Sequence, residues 1–210
     1  MKIIEKLSGT HEAETVEKVH EIYEKIQLQQ AEWYEKSQFL CPEGCGECCR
    51  NFEPDLLECE ALYMAAWLLE NQPEVADEVC NEKYPFPQNK GCPFWNENLD
   101  YHCTIYGGRP FVCRLFGACG NRGKDGSIVF KPCRFYPAEK LSLHNPPLSH
   151  KQYTQEETQS IFNCLPPVMS DLMEAAVSIV PDSQETKLIR EVLPETVRRL
   201  KWILSMISGE

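Results

Sequence analysis

Long apolar runs are missing from this sequence. No stretch approaches the roughly 18 uncharged apolar residues that a membrane-spanning helix needs, so no membrane partner is expected. Basic residues are scarce beside acidic ones: 21 Lys and Arg face 32 Asp and Glu, for a net charge of −11. Nucleic acid calls for a basic face that can meet phosphates, and that class is excluded. An anionic membrane surface is an equally poor partner. The opening residues, MKIIEKLSGTHEAETVEK, lack the apolar core and small-residue cleavage site of a secretory signal. The expected location is therefore the cytoplasm. There is no phosphate-cradling glycine loop, and no serine–histidine–aspartate set can be read from residue order. The carboxylates are too scattered to nominate an acid–base pair.

Cysteine, by contrast, is abundant. The chain has twelve, eleven of them between residues 41 and 133, with Cys164 alone beyond. The stretch CPEGCGECCR, residues 41 to 50, packs in Cys41, Cys45, Cys48 and Cys49. In a secreted domain such a count reads as a disulfide frame. A reducing cytoplasm keeps thiols unpaired, and Cys48 and Cys49 cannot bridge to each other without straining the backbone. Metal coordination is the better reading. Zinc sites and iron–sulfur clusters each take about four thiolates. The candidate ligands are Cys41, Cys45, Cys48, Cys49, Cys92, Cys103, Cys113, Cys119 and Cys133. That set suffices for two four-sulfur sites with one to spare, or for one site with additional core thiols.

Consecutive side chains of an extended chain point to opposite sides. Cys48 and Cys49 are thus expected to address different metal centres, or different irons of one cluster. Arg50, Arg114 and Arg134 each follow a cysteine directly, and Arg109 lies close by. Guanidinium groups near cluster sulfurs stabilise the reduced, more negative state. His102, beside Cys103, could supply a nitrogen ligand, but a histidine in a turn-rich loop is more often exposed. The spacing Cys41-x3-Cys45-x2-Cys48 also matches the motif of radical enzymes that use S-adenosylmethionine. Those enzymes place it after a strand of a partial α/β barrel, with an aromatic residue before the third cysteine. Here a helix precedes it, Glu47 holds that place, and no strand–helix alternation follows.

Around the cysteines the periodicity is helical. Val16, Val19, Tyr23 and Ile26 recur at three and four within residues 14 to 36. Asp55 and Glu58 form a capping-box pattern that opens a helix over LLECEALYMAAWLLE, with Cys59 on its apolar face as a buried structural thiol. Pro73 fits the first turn of a short helix reaching about Asn81. Between 84 and 137 no period is sustained: CPFW and HCTIY read as a hairpin about NENLD, and SIVF after KDG as a second strand. Residues 138 to 150 look like a polar connector. TQEETQSIFNCL and VMSDLMEAAVSIV are helical, and Asp182 with Glu185 caps a last helix that Pro194 is expected to kink or restart.

The blocks Cys41-x3-Cys45-Gly-x-Cys48-Cys49-Arg50, Gly91-Cys92-Pro-Phe and Cys103-x-Ile-Tyr106-x-x-Arg109-Pro110-x-x-Cys113-Arg114 resemble the YkgJ-type cysteine-cluster family, a zinc- or iron-chelating domain. The resemblance covers residues 41 to 116, extending toward 137. It implies a metal-chelating module in which Cys41, Cys45, Cys48, Cys49, Cys92, Cys103 and Cys113 are family cysteines. A related group, the flagellin lysine N-methylases, carries a similar cysteine pattern with an iron–sulfur cluster. That favours iron, although no methyl-donor motif is found here. Arg50, Tyr106, Arg109 and Arg114 are expected around the cofactor rather than as ligands.

The expected fold is mainly α with a small irregular, hairpin-containing cysteine-rich metal-binding centre. Its parts are an N-terminal helix (1–40), a cysteine-cluster region (41–137) and a helical region packed on it (138–210), together forming one compact domain. The expected function is a cytoplasmic protein holding an iron–sulfur centre of the four-iron (4Fe-4S) type, for electron transfer or support of a reaction on a protein or redox partner. The alternatives are a zinc-stapled interaction module and an enzyme that modifies protein side chains.

Overall fold

The computed structural model describes residues 1–39, 45–84, 91–181 and 184–209. The chain is mainly helical. Helix α1 (Lys2–Lys6) seats Ile3 and leads into the long α2 (His11–Ser37). Thr10 starts α2 by accepting a hydrogen bond from the Ala13 amide at 3.1 Å. The stripe of Val16, Val19, Tyr23 and Ile26 is buried as the periodicity requires.

Helix α4 (Glu58–Asn71) is the hub, with α1, α2, α5 (Pro73–Cys80) and α10 (Ile189–Ser208) packed against it. Nine of its residues are buried, among them Cys59, Leu62, Met64, Ala65 and Leu68. A helix apolar on nearly every side must be surrounded. α10 answers with Ile189, Leu193, Val197 and Leu200 on one face. Among the described residues no helix is long and apolar enough to cross a membrane.

Three sequence expectations are corrected here. Asp55 does not cap α4. It lies in strand β1 (Asp55–Leu56), which pairs antiparallel with β4 (Lys187–Leu188), Asp55 standing opposite Leu188. Glu60 opens α4 instead, reaching back to the Leu57 amide at 2.9 Å. The last helix starts only after β4, at Ile189, and runs through Pro194 to Ser208; the expected cap at Asp182 lies outside the described residues. The stretch 138–150 is more than a connector. It forms α7 (Ala138–Ser142) and buries Leu141 and Leu148.

Those two leucines belong to a second, aromatic core with Trp33, Phe39, Phe130, Tyr153 and Phe162. The Trp33 ring meets Phe130 at 5.2 Å and Phe162 at 5.0 Å, both edge-on, the arrangement that ring quadrupoles favour. It fastens the far end of α2 to α8 (Gln155–Phe162) and to the hairpin of β2 (Asn121–Arg122) and β3 (Ile128–Val129). α9 (Met169–Val177) returns to the main core through Leu172 and Ala176. The irregular middle packs onto the main core through Cys92, Phe94, Ile105, Phe111 and Leu115. It contains α3 (Glu47–Arg50), the hairpin-like pairing of Trp95 with Cys103 and α6 (Phe111–Leu115).

Candidate metal centre

Three short pieces of backbone meet here, and two glycines allow them to. Gly46 adopts φ +49 and begins α3; a Cβ there would also collide with the His102 ring. Gly91 adopts φ +87 and lies so close to the Arg50 carbonyl that a side chain has no room. Cys92 then donates its amide to the Cys49 carbonyl at 3.3 Å. The third piece is α6, which carries Cys113. Its start is tied by the Phe111 amide, which donates to Glu60 Oε1 at 2.7 Å. The other Glu60 oxygen holds the start of α4, so one buried carboxyl fixes two helices. Burial lifts that carboxyl to about 7 despite the two donors.

Cys48, Cys49, Cys92 and Cys113 line one small cavity with Phe52 and Val112. Its room, about 10 Å³, is close to what a single water needs. The expectation that Cys48 and Cys49 face opposite ways is overturned: their sulfurs are 3.7 Å apart. The cause is local. Both lie in the helical turn α3, where neighbouring side chains diverge by about 100° rather than 180°. Their contact, in which either sulfur can donate, pulls the Cys48 thiol down and pushes Cys49 up. Burial pushes Cys92 up to about 12 and also raises Cys103 and Cys113.

The mutual charge effects map the sulfur neighbourhood. Cys48, Cys49, Cys92, Cys103 and Cys113 act on one another. Cys133 joins them through Cys48 and is also influenced by Cys45. Cys41 lies outside the described residues. Cys119 also packs on the main core, but no other sulfur acts on it, and burial alone pushes it up to about 12. Cys59 is buried in α4, its thiol 3.8 Å from the Ala176 carbonyl. Cys164 flanks the aromatic core.

The arginines divide in the same way. Arg109 lowers the cost of thiolate at Cys48, Cys103 and Cys113. Its guanidinium is stacked 3.4 Å over the ring of Tyr106, an exposed residue. Arg114 acts on Cys103 but is stacked on Tyr23 at 3.8 Å. Arg50 pairs with Glu47 at 3.5 Å, and Arg134 lies over Phe135. His102 turns Nδ1 to the Asn96 carbonyl at 3.0 Å, which puts the proton on that nitrogen.

The donor set fits a thiolate-bound metal in its chemistry, with several soft sulfurs on an apolar cavity and a cation beside them. Among the described residues, however, no three His, Cys, Asp or Glu side chains already converge on one metal-sized position. The pattern of a family described as CxxCxxCC, "Putative zinc- or iron-chelating domain", matches residues 40–159. The chain belongs to this family. Neither the curated proteins nor the solved structures provide a match. The CxxCxxCC region extends past the clustered cysteines into α8, so it takes in the hairpin and four residues of the aromatic core, Phe130, Leu141, Leu148 and Tyr153. In this chain three residues, not two, separate Cys41 from Cys45.

Glu60 is the residue that the sequence reading missed. Its only signal was a carboxylate directly before the apolar run ALYMAA. Its partner Phe111 is 51 positions away, which no local pattern reveals.

Proposed function

We propose that the protein holds a polynuclear metal–thiolate centre, an iron–sulfur cluster of the four-iron type, on Cys48, Cys49, Cys92 and Cys113, with Cys103, Cys45, Cys133 and Cys41 as the reserve from which a complete ligand set is drawn. One observation carries the reading. Four cysteines from three separate stretches, Cys48, Cys49, Cys92 and Cys113, line one apolar cavity, and a cluster takes about four thiolates. When bound, such a centre supplies one-electron chemistry at a potential tuned by nearby charge and hydrogen bonds. The chain's own contribution is to exclude water with Phe52, Val112 and Phe116, and to place the Arg109 charge beside the sulfurs. The helical frame then serves a redox partner or a reaction on another protein.

The test is purification under nitrogen followed by metal and acid-labile sulfide analysis. A brown preparation with iron and sulfide in comparable amounts is expected.

A zinc reading is favoured by a different observation. With Zn–S bonds of about 2.3 Å, the edge of a tetrahedral thiolate site is about 3.8 Å, and Cys48 and Cys49 stand 3.7 Å apart. Colourless protein with stoichiometric zinc and no sulfide would establish that reading and end the first.

A further inference from the structure

Helix α10 reaches the cysteine loops from outside the stretch that the family pattern covers. Arg190 is its second residue, well past residue 159 where that pattern ends. The Arg190 amide donates to Glu53 Oε1 and its Nε to Glu53 Oε2, both at 3.0 Å. Nη2 of the same guanidinium donates to the Gly91 carbonyl at 3.2 Å. Glu53 lies four residues after Cys49, and Gly91 directly precedes Cys92. One side chain therefore grips both stretches that bring these two cysteines to the cavity.

The grip is enclosed. Among the described residues this is the one ion pair with both side chains less than a third exposed, Arg190 at 30% and Glu53 at 13%. An exposed pair does little, because water and salt screen it. An enclosed pair fixes geometry, and removing one partner leaves the other charge uncompensated. The Tyr84 ring lies 5.8 Å from the guanidinium carbon, within reach of a cation–π contact.

Without this arginine the two stretches are weakly joined. The one backbone hydrogen bond between 45–54 and 91–116 among the described residues runs from the Cys92 amide to the Cys49 carbonyl at 3.3 Å, which is long for its type. Burial dominates the cost of thiolate at Cys92; the Glu53 charge adds to that cost and Arg190 offsets it.

We propose that Arg190 is a positioning residue of the metal centre: its planar fork spans Glu53 and Gly91 and sets the spacing at which Cys49 and Cys92 meet. This rests on the reading of those sulfurs as metal ligands. A side chain on the last helix thereby completes a site whose ligands all lie in the middle of the chain.

The experiment titrates zinc into the metal-free, reduced full chain in competition with a chromophoric chelator. In parallel, the alkylation of Cys92 and Cys59 by iodoacetamide is timed in the metal-free chain. Arg190→Met should weaken zinc binding at least about tenfold, as loss of a hydrogen bond from a charged donor implies. It should speed alkylation of Cys92 by a similar factor, while Cys59, buried in α4, reacts as in the wild type. Arg199→Met is the control. It removes the same charge from the same helix, but Arg199 is bound to Glu12 and Glu58, and both readouts should stay unchanged. Glu53→Gln combined with Arg190→Met removes both charges and should bind zinc as weakly as Arg190→Met, because the link to Gly91 is still missing.

The proposal is overturned if Arg190→Met matches the wild type. It also falls if the double variant regains full affinity, since Arg190 would then only neutralise Glu53. Equal weakening by Arg199→Met, or faster alkylation of Cys59 together with Cys92, would show a general loss of helix packing and overturn it too. A wild-type chain that takes up neither zinc nor, with sulfide, iron would end the metal reading instead. The Cys92 alkylation rate then decides the role of Arg190 by itself.

Discussion

Cys48 and Cys49 hold their sulfurs 3.7 Å apart on one turn of helix, so a single substitution there removes a donor from the densest part of the group. Cys48→Ser and Cys113→Ser are expected to lose most of the bound metal, while Cys164→Ser and Cys59→Ala retain it. Metal analysis of the four variants checks this, and equal loss in all four would dissolve the ligand assignment. Glu60 allows a second test at this scale. Its folded carboxyl is raised to about 7 by burial, against an ordinary value near 4.5. As pH rises from about 4.5 to about 7 the unfolded chain releases this proton while the folded chain keeps it. Stability therefore falls through that window, by about 3 kcal/mol, and levels off above it. Glu60→Gln should flatten the slope in urea unfolding measured from pH 4.5 to 7.5, and should be less stable at the acid end because one backbone amide loses its acceptor. An unchanged slope would mean that Glu60 titrates normally. The sulfurs were legible in the sequence because spacing alone isolates them. Glu60 was not, because its task exists only once Phe111 has come back to α4.

Elements that depend on their own residues were read well, and elements that depend on distant partners were not. The stripe of α2, the proline start of α5 and the turn at NENLD all carry their signals within a few residues, and all three form. β1 has two residues and exists because β4 arrives from about 130 positions away. Locally Asp55 looks like a cap, and its carboxylate accepts from Thr186 Oγ1 instead. The same dependence governs the site, where α3, the 91–103 hairpin and α6 are each too short to be stable alone. Gly91 is their tightest joint. Gly91→Ala must place a Cβ against the Arg50 carbonyl at a φ that L-residues avoid. A loss of at least about 1–2 kcal/mol is expected from the backbone conformation alone, with reduced metal retention. Thermal unfolding and metal analysis of this variant check both halves. Unchanged metal retention would show that the hairpin does not depend on this joint to deliver Cys92.

At the scale of the whole molecule, stability comes from two packed cores, and the sulfur group lies on the larger one, to which Cys92 belongs and against which Cys49 and Cys103 pack. Phe94, Ile105, Phe111 and Leu115 anchor the cysteine loops in the larger core, whereas the loops are joined to one another by single backbone hydrogen bonds such as that from Cys92 to Cys49. Metal binding free energy in small thiolate domains is folding free energy, so here it should act on the middle and leave the ends largely alone. Hydrogen exchange with and without metal is the measurement. On metal removal, amides of 45–54 and 91–116 are expected to lose protection, while Met64, Leu68 and Val197 keep theirs. Trp33→Ala should show the converse. It should cost about 3–5 kcal/mol and loosen the aromatic body while the metal stays bound, because no cysteine of the connected group belongs to that core. Uniform loss of protection in either experiment would mean that the two cores and the cysteine loops unfold as one unit. The metal would then be a staple for the entire chain rather than for its middle.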